Sequence, residues 1–187
     1  MATSNDIKKG LCIEYSNDIY KVIEFLHVKP GKGPAFVRTK LKSVTNGKVI
    51  DNTFSAGHKI DEVKVITRKF QYLYEDDNGF HFMNNEDFSQ LYLNKEMIEN
   101  SDLMKAGEEV TIILKEADET PLSAELPQSV YLEVTEADPG VKGNTATNAL
   151  KNATVETGAR IMVPLFIEPG DKIKVSTEDK SYLERVK

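Results

Sequence analysis

Residues 35–54 read AFVRTKLKSVTNGKVIDNTF. Ala35, Val37, Thr39 and Leu41 share one parity, and Phe36, Arg38, Lys40 and Lys42 share the other. That period of two marks a strand with one face on a core. Asn46-Gly47 within TNGK (45–48) is a strong hairpin signal, and VIDNTF (49–54) reads as the return strand. Immediately upstream, IYKVIEFLHV (19–28) is rich in β-branched and aromatic residues, with apolar side chains on both parities. Ser16-Asn17-Asp18 turns an earlier hairpin. Short strands joined by tight turns at this spacing predict a small barrel.

Beyond Val65 the strand signals continue. KFQYLYEDDNGFHFMNN (69–85) holds two aromatic strands around the turn Asp76-Asp77-Asn78-Gly79. LNKEMIENSDLMKAG (93–107) is the one helix expected: Met97, Ile98, Leu103 and Met104 give an imperfect helical stripe, and Gly107 is a stop. EVTIILKEADETPLSAELP (109–127) returns to strand, punctuated by Pro121 and Pro127. A third segment opens near Gln128 and runs through SVYLEVTEADPG, a Gly/Thr/Asn-rich loop and a last group of strands, with Pro-Gly at 139–140 and 169–170. The expected organisation is all-β, in three units: 1–64, 65–127 and 128–187. Units of about 60 residues are marginal alone and are expected to pack or act together. The second and third both suit five-stranded OB-type barrels.

Charge divides along the same lines. The chain of 187 residues carries a net charge of −6, which by itself argues against nucleic acid. Its distribution matters more. Residues 1–64 hold 11 Lys+Arg against 7 Asp+Glu, 65–127 hold 5 against 14, and 128–187 hold 8 against 9. Between Glu24 and Asp51 no acid occurs, whereas Lys29, Lys32, Arg38, Lys40, Lys42 and Lys48 do. An acidic body with one basic arm aims that arm at a polyanion. Cys12 is the only cysteine, so no intramolecular disulfide forms and a cytoplasmic location is expected. MATSNDIKKG has no apolar core of a signal peptide, and no run reaches the ~18 apolar residues of a membrane span.

HVKPGKGPAF (27–36) puts one cation, Lys32, between two glycines, each flanked by a proline. Pro30 and Gly31 suit the centre of a type II turn, Gly33 adds a second permissive position, and Pro34 stiffens the exit. With strands on either side, Lys29, Pro30, Gly31, Gly33 and Pro34 would form a protruding loop with Lys32 at its tip. The loop is no phosphate-binding P-loop, because Gly31-Lys32 is followed by Gly33 rather than Ser or Thr. Nor does an exposed tip supply the desolvated pocket a nucleophilic lysine needs. His27, His58 and His81 lack metal-ligand spacing; His81, among aromatics, is expected to be structural. Glu75-Asp76-Asp77 and Glu108-Glu109 are turn charges rather than a catalytic pair. The aromatic stripes of FQYLY and FHFMN could stack bases, but their acidic surroundings favour barrel core and packing between units. No catalytic, metal or cofactor site is expected.

KPGKGPAFVRTKLK (29–42) closely resembles the first-domain loop of the bacterial elongation factor P family. FMNNEDFSQ (82–90), DPGVKGNTAT (138–147), VPLFIEPGDKIKV (163–175) and the terminal SYLERVK resemble further segments of that family, so the resemblance spans the chain. Two places depart from the pattern: Val155 stands where a small residue is usual, and STEDKSYLERV lacks the glycine often found before the tyrosine. The resemblance implies an L-shaped, tRNA-like arrangement of an SH3-like (KOW-like) barrel and two OB-type barrels. It implies a monomeric, non-enzymatic factor that binds both ribosomal subunits between the peptidyl-tRNA and exit sites and relieves stalls at consecutive prolines. Lys32 would reach towards the peptidyl-tRNA and would be the target of a lysine-modifying enzyme. Arg38, Lys40 and Lys42 would touch RNA phosphate, or else form an ordinary solvated face. Tyr182 and Arg185 resemble the family's third-domain RNA contacts, with core packing the plainer role for Tyr182. A paralogous factor with another client, or a general single-stranded nucleic-acid binder built from OB units, are the alternative readings.

Overall fold

The computed structural model describes residues 2–140 and 149–186, so most of the Gly/Thr/Asn-rich loop within DPGVKGNTAT lies outside the described residues. The described chain forms three antiparallel sheets and no α-helix. The first comprises β1 (Ala2–Thr3), β2 (Cys12–Tyr15), β3 (Asp18–Val28), β4 (Phe36–Ser43), β5 (Val49–Ser55) and β6 (Lys59–Glu62), ordered β1-β6-β2-β3-β4-β5. The second comprises β7 (Val65–Asp76), β8 (Gly79–Asn84), β9 (Gln90–Leu93), β10 (Glu109–Lys115) and β11 (Pro121–Glu125), ordered β11-β10-β7-β8-β9. The third comprises β12 (Ser129–Ala137), β13 (Leu150–Val155), β14 (Arg160–Pro164), β15 (Lys172–Ser176) and β16 (Tyr182–Val186), ordered β14-β13-β12-β15-β16. Counted within each sheet, the last two share one order, 5-4-1-2-3. They are curled half-barrels of the OB type, as expected.

In β4 the expected alternation is complete: Val37, Thr39, Leu41 and Ser43 are buried, while Phe36, Arg38, Lys40 and Lys42 face outwards. In β3 the mixed parity has a physical cause. A bulge between Val22 and Glu24 inserts one residue, so Tyr20 and Val22 point to the core and the parity then switches. The Ser16-Asn17 turn has φ of +50° and +62°, the double positive φ of a tight hairpin. In the β7–β8 turn Gly79 has φ +129°, and a Cβ there would collide with the backbone oxygen of Leu93. Pro121 opens a strand rather than ending one, a place where its missing N–H breaks no ladder.

The expected helix does not form. Residues 93–107 instead make two single 3-10 turns, Lys95–Met97 and Ser101–Leu103, separated by Asn100 at φ +55°. The apolar residues read as one stripe serve two cores. Ile98 and Met104 pack with Phe70, Tyr72, Phe80, Phe82, Leu93 and Val110 in the second unit. Leu103, with no exposed surface, packs with Leu132, Val155, Ile161 and Ile173 in the third. The left-handed backbone at Asn100 interrupts the helical path between Ile98 and Leu103. Asn, Ser and Asp at 100–102 also offer the backbone local bonds that compete with helix.

This segment ties the second unit to the third. The Asn100 side-chain amide donates to the carbonyls of Thr177 (2.7 Å) and Glu178 (3.2 Å). Lys180 pairs with Asp102 at 2.7 Å and Lys105 with Glu156 at 2.9 Å, and Leu126 packs against both cores. Lys180 sits two residues before Tyr182, in the stretch that lacks a glycine, and holds φ +56°. That left-handed backbone costs a side-chain-bearing residue about 1–2 kcal/mol, of which its partly exposed ion pair with Asp102 returns a part. The first unit is held more lightly. Among the described residues its one side-chain ion pair to the rest is Lys42 to Glu99, at 3.1 Å.

Candidate nucleic-acid interface

The basic arm is built on the β3–β4 hairpin. Pairing runs from Tyr20–Ser43 to Val28–Phe36, and β5 continues alongside β4 as far as Ser55 opposite Phe36. The loop therefore leaves a three-stranded sheet end, not a two-stranded finger. Past Val22, β3 is an open edge, and Glu24, Phe25, Leu26 and His27 are all exposed. Loop residues 29–35 follow. Lys29, Gly31, Lys32, Gly33 and Pro34 are exposed and Pro30 is half-buried.

Within the loop the positive φ falls at Gly33 (+106°) and not at Gly31. The expected type II turn centred on Pro30-Gly31 is thus replaced by a turn whose obligatory glycine follows the lysine. No neighbour lies within 4 Å of a Cβ placed on Gly31. Gly31→Ala should therefore be tolerated, whereas Gly33→Ala forces a backbone that L-residues rarely adopt, at a cost of about 1–2 kcal/mol to the loop geometry. Gly33→Ala is expected to shift the backbone amide resonances of residues 29–35 more than Gly31→Ala does.

Among the described residues Lys32 takes part in no ion pair and no side-chain hydrogen bond. The three bases behind it are differently placed. Arg38 is exposed, its Cζ lying 5.5 Å from the centre of the Phe36 ring. Lys40 pairs with Glu24 at 3.3 Å, and Lys42 pairs with Glu99 of the second unit. The Glu24–Lys40 pair exists because the β3 bulge shifts register, which no parity reading of the sequence could supply. Both pairs are solvent-exposed, a class contributing about 0–1 kcal/mol, so either lysine can exchange its carboxylate for phosphate. The face is one outward row of cations rather than a pocket.

Tyr182 and Arg185 are not brought to this site; both lie on β16 of the third sheet. Tyr182 is half-buried against the third core. Arg185 lies 3.7 Å from Asp171, with its Cζ 5.6 Å from the centre of the exposed Phe166 ring. Of the aromatic stripes, Phe70, Tyr72, Phe80 and Phe82 are core, as expected. No helix among the described residues is long and apolar enough to cross a membrane. Sequence reasoning missed Asn100 and misplaced Leu103, the residues that join the second unit to the third. The polar run Asn-Ser-Asp inside an otherwise helical stripe was the available signal.

Comparison with known proteins agrees with this architecture. Residues 3–60 match the family model of the elongation factor P KOW-like domain, 65–123 that of the elongation factor P OB domain, and 130–185 that of the elongation factor P C-terminal domain. Proteins named elongation factor P from Flavobacterium johnsoniae and Christiangramia forsetii are each 63% identical over 187 residues, covering 100% of both chains. Elongation factor P 1 from Porphyromonas gingivalis is 50% identical over the same span. Among solved structures, eukaryotic translation initiation factor 5A from Methanococcus jannaschii aligns with a TM-score of 0.50 at 18% identity, over 67% of this chain and 90% of that one. A translation initiation factor of that family from Naegleria fowleri gives 0.51 at 19%, over 67% and 96%. These two likenesses concern the fold alone.

Proposed function

The chain belongs to the elongation factor P family and is a translation elongation factor that works with the ribosome; from that premise we propose that it binds between the peptidyl-tRNA and exit sites and promotes peptide bond formation at consecutive prolines by steadying the peptidyl-tRNA. The observation that carries this reading is Lys32: an exposed amine that, among the described residues, has no side-chain partner, at the end of a loop whose supporting strand carries Arg38, Lys40 and Lys42 beside Phe36 on its outer row. Proline's nitrogen is a constrained secondary amine, and peptide transfer to or from it is slow. While that step waits, a peptidyl-tRNA end that wanders leaves its reactive geometry. A cation anchored to the RNA backbone near the terminal nucleotides narrows that wandering, which is a proximity effect. No residue of this chain takes part in bond making, so none is assigned a catalytic role.

The units divide the work at 1–64, 65–127 and 128–187. The first presents Lys32 on the loop formed by Lys29, Pro30, Gly31, Gly33 and Pro34. The other two, fastened through Asn100, Leu103 and Lys180, act as the body that sets its reach. The exposure of Lys32 also suits it to lengthening by a modifying enzyme, which would extend the same probe. Arg38, Lys40 and Lys42 hold phosphate without reading sequence, and Tyr182 and Arg185 contribute from the far end of the molecule.

Ribosome binding tests this arrangement. Charge reversal of Lys40 and Lys42 should weaken binding to ribosomes and lower the slope of log affinity against log salt by about one for each phosphate no longer neutralised. Unchanged affinity and slope would remove the strand from the interface. In parallel, adding the wild-type protein to a reconstituted translation reaction should shorten the pause at a diproline and leave other codons unaffected.

A further inference from the structure

The outer face of the second sheet carries three rings that the ribosomal function leaves unused. Tyr74, His81 and Tyr92 are direct cross-strand neighbours on β7, β8 and β9. Tyr74 stacks on His81 with centroids 4.6 Å apart at 17°, and His81 meets Tyr92 at 6.0 Å and 35°. The tyrosines are 51% and 59% exposed, while His81 is held between them with Nε2 2.9 Å from Asp76 Oδ1, though not aligned for a hydrogen bond. In the β8–β9 turn, at the other end of β8 from the β7–β8 turn, Phe88 is 69% exposed at φ +59°, a conformation rare for a bulky side chain. Its N–H donates to the Asn84 carbonyl at 3.0 Å, and the Asn84 side chain accepts from the N–H of Glu86 at 2.8 Å. The loop is thus built to hold that ring outwards.

The two turns that bracket β8 carry acids. Residues 70–93 contain Glu75, Asp76, Asp77, Glu86 and Asp87 and no lysine or arginine. Contact with His81, then the N–H of Asn78, keeps the Asp76 carboxyl below the usual range. Just upstream, Arg68 pairs with Glu119 while its charge also reaches Asp87, and Lys69 pairs with Glu109.

We propose that this face docks an arginine-bearing protein segment. A planar guanidinium stacks on tyrosine and at the same time pairs with carboxylates, and the face offers both. Exposed rings alone would equally suit bases. Phosphates would then meet Glu75, Asp76 and Asp77 at the β7–β8 turn, with no lysine or arginine in residues 70–93 to neutralise them. An apolar partner would strip water from the same acids without pairing them.

Titration of the purified full-length protein with a short arginine–glycine repeat peptide, read by backbone amide shifts, tests the assignment. The shifts should centre on β7, β8 and β9. The double variant Tyr74→Ala/Tyr92→Ala should bind about tenfold more weakly, the sum expected of two exposed cation–π contacts. A lysine–glycine peptide should bind wild type more weakly than the arginine one. Glu75→Gln/Asp77→Asn, which leaves the rings in place, should weaken binding and flatten its salt dependence. Thermal unfolding of each variant checks that it folds. Equal affinity of wild type and the tyrosine variant, equal affinity for the two peptides, shifts at the same residues from a single-stranded RNA oligomer, or no binding at all would each overturn the proposal. The titration needs no ribosome, so its outcome is independent of action at proline runs.

Discussion

Lys32→Ala is expected to abolish the rescue of diproline messages while leaving the protein as stable as wild type. Lys32 is exposed and, among the described residues, without a partner, and surface substitutions of that kind change stability within about 0.5 kcal/mol. Everything its removal costs must therefore appear in function. If the amine restrains the peptidyl-tRNA, its loss returns the slow transfer to the unaided rate, a fall on the order of tenfold or more for a misplaced reactive end. Binding to ribosomes should weaken only modestly, because Arg38, Lys40 and Lys42 remain. A reconstituted diproline translation assay paired with a thermal unfolding curve gives both readouts. A variant with full rescue would show that the tip is not the active element.

Leu103→Ala is expected to have the opposite profile, a large loss of stability from a residue far from the loop. Leu103 sits in a short turn of the second unit's chain but in the core of the third. Deleting a fully buried leucine side chain costs about 2–5 kcal/mol. Hydrogen exchange should locate the damage: protection should fall in β12, β13 and β15. Ile98→Ala, by contrast, should lower protection in β7, β8 and β10, since Ile98 belongs to the second core. Had residues 93–107 been one amphipathic helix, the two substitutions would have loosened the same unit. Loss of protection confined to the second sheet in both variants would contradict the two-core assignment.

The contrast between these residues shows what the sequence could and could not disclose. The β4 alternation, the Ser16-Asn17 turn and the Asp76–Gly79 turn were legible because each depends on residues a few positions apart. The loop around Lys32 was legible as a loop, but its positive φ was expected at Gly31 and lies at Gly33, because either of two glycines in one turn can take it. The bulge after Val22 explains both the mixed parity of β3 and the Glu24–Lys40 pair, and nothing local announces it. The apparent helix failed for a related reason. Its apolar spacing was real, but which barrel each side chain enters is a tertiary decision. Lys180 shows the converse: the stretch noted for lacking a glycine contains a left-handed backbone at a lysine that pairs across the junction.

The central claim is that the residue 32 side chain reaches the end of the peptidyl-tRNA. Placing a photo-crosslinking side chain at position 32 and trapping the protein on a diproline-stalled ribosome tests it most directly. The account requires an adduct to the terminal nucleotides of the peptidyl-site tRNA; adducts confined to the factor's own chain or to remote ribosomal RNA would contradict it.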